Sequence, residues 1–150
     1  MARVLLTGMS GAGKSTLLAE LGRRGHHTVD TDYDGWTDGA GGPWDEARMT
    51  ALLATSTHVL VSGTVDNQGH FYDRFDQVVL LSAPVEVLLE RVARRTDNPY
   101  GRSAADRAEI RRLTAEVEPL LRQTADLELD GREPVDVLAD IVETLIRPPG

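Results

Sequence analysis

The alternation of apolar and polar positions divides the chain into short strands and longer helices. Segments that are typical of buried parallel strands span residues 2–7, 26–30, 58–62, 77–82 and 125–129. Apolar residues that recur every three or four positions predict helices over residues 14–24, 44–54, 84–96, 103–124 and 134–146. This alternation predicts one α/β domain over residues 1–150, in which helices cover both faces of a parallel sheet.

Two segments lack either periodicity. Residues 31–44 are rich in Gly and Asp, and residues 94–103 form a basic, turn-rich stretch between two predicted helices. Long irregular loops in compact domains often carry function, although plain surface linkers are the alternative. We predict a substrate loop over residues 31–44 and a lid over residues 94–103.

A glycine-rich stretch, GMSGAGKST at residues 8–16, joins the first strand to the first helix. It fits the pattern G-x-x-x-x-G-K-[ST], in which backbone amides and the start of a helix surround phosphate oxygens. Lys14 would reach the β- and γ-phosphates, and the Ser15 hydroxyl would bind Mg²⁺. Lys14 is also the only lysine among the 16 Lys and Arg residues, which fits a site that needs a compact ammonium. The predicted nucleotide-binding residues of this loop are Gly8, Ser10, Gly11, Ala12, Gly13, Lys14, Ser15 and Thr16.

Two carboxylates stand at the end of the second predicted strand. Asp30 and Asp32 are two positions apart, so their side chains point to the same side of an extended segment. Asp30 would hold a water molecule on Mg²⁺, and Asp32 would accept the proton of an acceptor hydroxyl. A solvated acidic turn is the alternative, and the spacing leaves open which of the two acts as the base.

Composition narrows the possible partners. The net charge of −8 offers no broad basic surface for nucleic acid or for an anionic membrane. The absence of cysteine excludes disulfides and thiolate metal sites. There is neither a secretory leader pattern nor an apolar run of membrane-spanning length, so we expect a cytoplasmic monomer or homodimer that acts on a small molecule.

The phosphate loop, together with the D-T-D sequence at residues 30–32, resembles the shikimate kinase family within the nucleoside monophosphate kinase-like group of P-loop kinases. Gluconate kinases are close structural relatives of that family. The resemblance continues through VVLLSAPVEVLLERVARRTDNPYG at 78–101 and EPLLRQTADLELD at 118–130, so it covers most of the chain. It implies a P-loop fold with a five-stranded sheet in the order 2-3-1-4-5, and it implies ATP and Mg²⁺ as cofactors.

The resemblance also implies roles for individual residues. Asp30 matches the Mg²⁺-linked aspartate, and Asp32 matches the aspartate that contacts the substrate hydroxyl. Arg91 matches an arginine that packs on adenine, and the sequence GREP, with Arg132 and Pro134, falls where the family closes over the base.

Departures from the family pattern concern the acceptor and the lid. The family's lid arginine aligns with Asn98, although Arg94, Arg95 and Arg102 are near enough to replace it. The arginine that grips the carboxylate of shikimate aligns with Val117, so shikimate is not the expected acceptor. The predicted catalytic residues are Lys14, Asp32, Arg95 and Arg102.

The segments around the predicted acceptor site carry aromatic, amide and carboxylate groups, which suit a sugar, a polyol or a nucleoside. The predicted acceptor residues are Asp32, Tyr33, Trp36, Gly63 and Asn67. For Trp36 and Trp44, packing of the loop against the body is an equal alternative.

Two other functions remain open. A nucleoside monophosphate kinase would need arginines in the acceptor pocket, where residues 32–75 contain only Arg48 and Arg74. The second open function is that of a nucleotide-binding regulatory module without an acceptor.

The four histidines lack the spacing of metal ligands, and we expect them at edges or on the surface. Arg107, Arg111 and Arg112 are expected on an ion-paired helix face.

Overall fold

The computed structural model describes residues 2–37, 42–95 and 100–146. Its five strands are β1 Arg3–Thr7, β2 Thr28–Asp30, β3 Val59–Ser62, β4 Gln77–Ser82 and β5 Leu127–Asp130. All of them pair in parallel, in the order β2-β3-β1-β4-β5. The predicted fold class and strand order are therefore confirmed.

Helices follow the strands as the periodicity predicts. They are α1 Lys14–Arg23, α2 Glu46–Thr55, α3 Val85–Ala93, α4 Ala104–Thr124 and α5 Val135–Ile146. A 3₁₀ helix over Gln68–Arg74 was not predicted, because its seven residues are too few to display a period. Strand β2 begins two residues later than predicted, since the amide of His26 is still bound to the carbonyl of Leu21 in α1.

The core lies on both faces of the sheet. One cluster joins alternate residues of β1, such as Val4 and Leu6, to α1 and α5. The other lies on the opposite face, where Leu5 meets Met49 of α2 and Phe71 of the 3₁₀ helix. Successive side chains of a strand point to opposite faces, so the two clusters share the same strands. No helix in the described ranges is long and apolar enough to cross a membrane.

Candidate active site

The phosphate loop takes the conformation that its glycines permit. Gly11 and Gly13 have φ values of 86° and 104°, in the left-handed region that glycine tolerates and other residues avoid. Gly13 caps α1 without a side-chain hydrogen bond, so the first amides of the helix remain directed at the space in front of the loop. Such a helix start attracts an anion.

A cleft of about 910 Å³ opens in front of this loop. It lies at the carboxyl ends of the strands, where parallel α/β folds bind their ligands. Its lining residues are Met9, Ser10, Gly11, Gly13, Lys14, Ser15, Thr16, Asp32, Tyr33, Arg91, Arg95, Tyr100, Gly131, Glu133, Val135 and Leu138. Most of the predicted nucleotide residues, Arg91 among them, therefore face one cleft, together with Asp32, Tyr33 and Arg95.

Lys14 bonds to the backbone of its own loop. Its ammonium donates to the carbonyl oxygen of Gly8 and, at 3.5 Å, to that of Met9. Burial lowers the pKa of Lys14 to about 8, and the nearby Arg95 acts in the same direction, while Asp32 and Asp30 oppose it. The cleft thus places this ammonium within the field of both predicted carboxylates.

The side chains of Ser15 and Asp30, the two residues that we predicted to bind Mg²⁺, are in direct contact. The Ser15 hydroxyl donates to Oδ2 of Asp30 at 2.9 Å, and the amide of Asp32 donates to Oδ1 at 3.1 Å. No group of three or more His, Cys, Asp or Glu in the described part of the chain is placed to hold a metal. A hydroxyl and one carboxylate suit Mg²⁺, which in such sites takes its other ligands from nucleotide phosphates and water.

Arg91 connects the phosphate loop to the turn after β5. Its guanidinium donates to the carbonyls of Gly11 at 3.1 Å and Ala12 at 3.3 Å, and to that of Gly131 at 2.8 Å. Arg91 also lines the cleft, where the resemblance places an arginine on adenine. The sequence did not indicate its bonds to the loop backbone.

The remaining predicted cationic residues lie in different surroundings. Arg95 lines the cleft, whereas Arg102 is exposed and its guanidinium donates to the backbone carbonyl of Arg95. Arg132 pairs with Asp130 at 2.8 Å and lowers the pKa of that carboxyl to about 2. Neither Arg132 nor Pro134 lines the cleft, and Asn98 lies outside the described residues.

The two tryptophans of the substrate loop face the core. Trp36 is 7% exposed and Trp44 is 2% exposed, and both belong to the cluster beneath α2. The guanidinium of Arg48 lies 4.0 Å from the centre of a Trp36 ring and donates to the carbonyl of Asp34. This geometry favours packing over the substrate contact that we predicted for Trp36.

Asn67 and Gly63 are also occupied within the fold. The Asn67 amide accepts from the amide of Trp44 at 2.9 Å, and it donates to the Trp44 carbonyl and to Glu46. A Cβ on Gly63 would lie 2.2 Å from the Thr31 hydroxyl. Both residues therefore shape the end of the substrate loop, and neither lines the cleft.

Sequence reasoning missed several residues of the site. Tyr100 lines the cleft, and its hydroxyl donates to Glu109 at 2.6 Å. Burial, as the larger cause, and that hydrogen bond together raise the pKa of Tyr100 to about 12. Gly131 and Glu133 also line the cleft. The resemblance pointed to their segment, but it favoured Arg132 and Pro134 instead.

The expectations for the arginines of α4 and for the histidines are met only in part. Arg111 pairs with Glu86 and Arg112 with Glu116, so two of the three arginines that we expected on an ion-paired face of α4 lie in ion pairs. His27 and His70 are exposed, as expected. His26 and His58, in contrast, are half-buried and hydrogen-bonded to each other.

Comparisons with known proteins agree with this geometry. Residues 4–112 match a protein family described as an AAA domain. The shikimate kinase of Pseudomonas putida is 32% identical over 167 aligned positions, which cover 97% of this chain and 96% of that protein. The structure of the shikimate kinase from Acinetobacter baumannii in complex with shikimate has a TM-score of 0.71 at 22% identity, over 97% of this chain and 93% of that one. The deoxyadenosine kinase from M. mycoides with bound dATP has a TM-score of 0.67 at 14% identity, over 95% of this chain and 97% of that one. At these identities, the two structural likenesses concern the fold alone.

Proposed function

Because the chain belongs to the shikimate kinase-like group of P-loop kinases, we propose that it transfers the γ-phosphoryl group of ATP to a hydroxyl of a sugar, polyol or nucleoside. The coarser activity, that of an ATP-dependent small-molecule kinase, follows from its relatives. The class of acceptor is argued from the cleft.

The observation that carries the acceptor class is the chemistry of the cleft beside β2. The residues after this strand contribute one carboxylate and one phenol to the cleft, from Asp32 and Tyr33. Recognition of an acceptor carboxylate or phosphate calls for guanidinium groups. Arg48 bonds to Asp34 and stacks on Trp36, and Arg74 lies over Phe71. A neutral acceptor with hydroxyl groups fits the remaining polar groups best.

The proposed transfer uses groups that line the cleft, together with Asp30, which is hydrogen-bonded to Ser15 in that lining. As the acceptor oxygen forms its bond to the γ-phosphorus, Asp32 takes the hydroxyl proton, and the bond from phosphorus to the β–γ bridging oxygen breaks to release ADP. Lys14 would leave the Gly8 carbonyl and donate to phosphate oxygens, and Arg95 would offset charge on the transferred group. Ser15 and Asp30 would hold Mg²⁺, whose chemistry when bound is to neutralise phosphate charge.

Shikimate is the second candidate acceptor, because the curated relatives are named shikimate kinases. Against it stands the valine at position 117, where the resemblance requires a carboxylate-binding arginine. A nucleoside monophosphate kinase would need similar cations. A regulatory module without an acceptor is disfavoured, since the relatives are enzymes.

The test is ADP formation from Mg-ATP, first without an acceptor and then with separate sugars, polyols, nucleosides, nucleoside monophosphates and shikimate. We expect a neutral hydroxyl acceptor to raise the rate well above the acceptor-free rate. Stimulation by shikimate or by a nucleoside monophosphate alone would overturn the acceptor class and keep the kinase. Stimulation by nothing in the panel would also contradict the proposal.

A further inference from the structure

A chain of polar side chains lies beneath the phosphate loop, and the mechanism above does not use it. Thr7 ends β1, Thr64 follows β3, and Gln68 begins the 3₁₀ helix. Thr7 is fully buried, Gln68 is 3% exposed and Thr64 is half-buried. Buried polar groups must be paired to be tolerated, so the direction of each hydrogen bond can be worked out from its donors.

The donors and acceptors of these hydrogen bonds can be assigned starting from Gln68. The amide of Val65 can only donate, and it lies 2.9 Å from Oε1 of Gln68, which settles the orientation of the side-chain amide. Nε2 of Gln68 then donates to the Tyr72 hydroxyl at 2.8 Å and to the Thr7 hydroxyl at 3.1 Å. The single hydroxyl hydrogen of Thr64 is donated to the Gly8 carbonyl, so the Thr7 hydroxyl must donate to Thr64, 3.0 Å away.

The chain ends on the first residue of the phosphate loop. The Thr64 hydroxyl donates to the Gly8 carbonyl at 2.6 Å and accepts from the Gly8 amide at 3.0 Å. One hydroxyl therefore holds both polar groups of Gly8. The carbonyl in question is also the one that receives the Lys14 ammonium.

Gly8 is confined from the opposite side as well. A Cβ on Gly8 would lie 2.2 Å from the carbonyl oxygen of Leu81. The loop entrance is therefore held between the backbone of β4 and the Thr64 hydroxyl. Chains of hydrogen bonds strengthen one another in a buried setting.

We propose that Thr64, supported by Thr7 and Gln68, is a positioning residue that holds the phosphate loop preformed for nucleotide binding. Loss of the Thr64 hydroxyl would leave the Gly8 amide and the Thr7 hydroxyl without their partner, so the loop would pay for its ordering when the nucleotide binds. The proposal rests on the ATP-dependent activity and is independent of the acceptor class.

The test is calorimetric titration of the full chain with Mg-ADP, which needs no acceptor. Thr64→Val keeps the shape of the side chain and removes the hydroxyl, and we expect its Kd for ADP to rise about tenfold. Thr64→Ser restores the hydroxyl and should bind within about twofold of wild type. Thr55→Val makes the same chemical change on the exposed end of α2, where the hydroxyl bonds only within its helix, and should leave the Kd unchanged.

A second variant tests the same proposal in case Thr64→Val does not fold. Gln68→Met removes the hydrogen bond to Thr7, which is connected to the loop only through Thr64. We therefore expect a smaller rise in Kd, of about threefold. Thermal unfolding of every variant separates lost affinity from lost folding. Wild-type affinity in a folded Thr64→Val, or a Thr64→Ser variant as weak as Thr64→Val, would overturn the positioning role. If Thr64→Val does not fold, wild-type affinity in Gln68→Met would overturn it.

Discussion

At the scale of single residues, burial decides the chemistry of Lys14. Its ammonium has exchanged water for two backbone carbonyls, and its pKa falls to about 8. A bound phosphate would favour the charged form and raise that pKa again. Nucleotide binding should therefore be accompanied by proton uptake near and above this pH.

We predict that affinity for ADP falls as the pH rises through about 8. Below that pH, Lys14 is already charged in the free protein, so binding requires no proton uptake. Above it, binding must first protonate the amine, and the Kd should rise up to tenfold per pH unit. Calorimetry between pH 6.5 and 9.5, in buffers of different ionisation enthalpy, measures both effects. A constant Kd over this range would refute the prediction.

Asp32 is the residue on which the proposed proton transfer depends. It is exposed in the cleft, and the bond to Asp30 comes from its backbone amide. We predict that Asp32→Asn lowers kcat by about 10²–10⁴-fold, because the amide cannot take the proton, while the Kd for ADP changes little. Steady-state assays with the acceptor found in the panel check the first part, and calorimetry checks the second. Asp34→Asn, in the same loop, is the matched control, and an equal loss in both would argue against a base at Asp32.

At the scale of elements, the site depends on close contact between loops that follow different strands. Gly131, after β5, donates to the Ser82 carbonyl and accepts from Arg91, which also holds the phosphate loop. A Cβ on Gly131 would lie 2.3 Å from the carbonyl oxygen of Ala12. The absence of a side chain at this position lets the turn pack directly on the loop.

We predict that Gly131→Ala weakens ADP binding and destabilises the fold by about 1–3 kcal/mol, since backbone must move to admit the methyl group. Gly69→Ala is the matched control, because its nearest neighbour is a Tyr72 ring carbon at 3.8 Å, an ordinary contact. Thermal unfolding and ADP titration of both variants make the comparison. Equal behaviour of the two would contradict the close packing of Gly131 on the loop.

At the scale of the whole molecule, a second polar network joins elements at the end of the sheet opposite the cleft. The amide of Ala2 donates to Nδ1 of His58, so Nε2 of His58 must donate to His26, and His26 in turn donates to Glu143. This order requires His58 to be neutral. Burial, and then the neighbouring His26, lower the pKa of His58 below its usual 6.5.

A histidine whose pKa is lowered by folding stabilises the fold above its unfolded pKa and destabilises it as the pH falls below that value. We therefore predict that the Tm falls between pH 7 and 5.5, and that His58→Asn, which keeps an acceptor for the Ala2 amide, reduces this loss. His27→Asn removes an exposed histidine and should retain the full loss. Thermal unfolding at several pH values provides the measurement, and equal slopes for the two variants would disprove the role of His58.

The order of the strands and helices could be predicted because apolar periodicity is a local property of each segment. The phosphate loop could be predicted for a related reason, since its residues are neighbours in the chain and act largely through their own backbone. The phosphate-loop motif assigned Ser15 to Mg²⁺, and the end of the second strand assigned Asp30 to it. The structure brings these two side chains, from separate segments, to 2.9 Å from each other.

Tertiary structure alone decided which polar side chains face the cleft. Asn67 and Trp36 have the chemistry of ligand contacts, yet both are buried beneath α2. Burial of the Trp36 ring and the hydrogen bonds of the Asn67 amide stabilise the fold whether or not a ligand is present. Arg91 reaches a carbonyl 80 residues away in the chain. The sequence by itself therefore determined the fold and the phosphate chemistry, whereas packing between distant segments decided which residues are left to meet the acceptor.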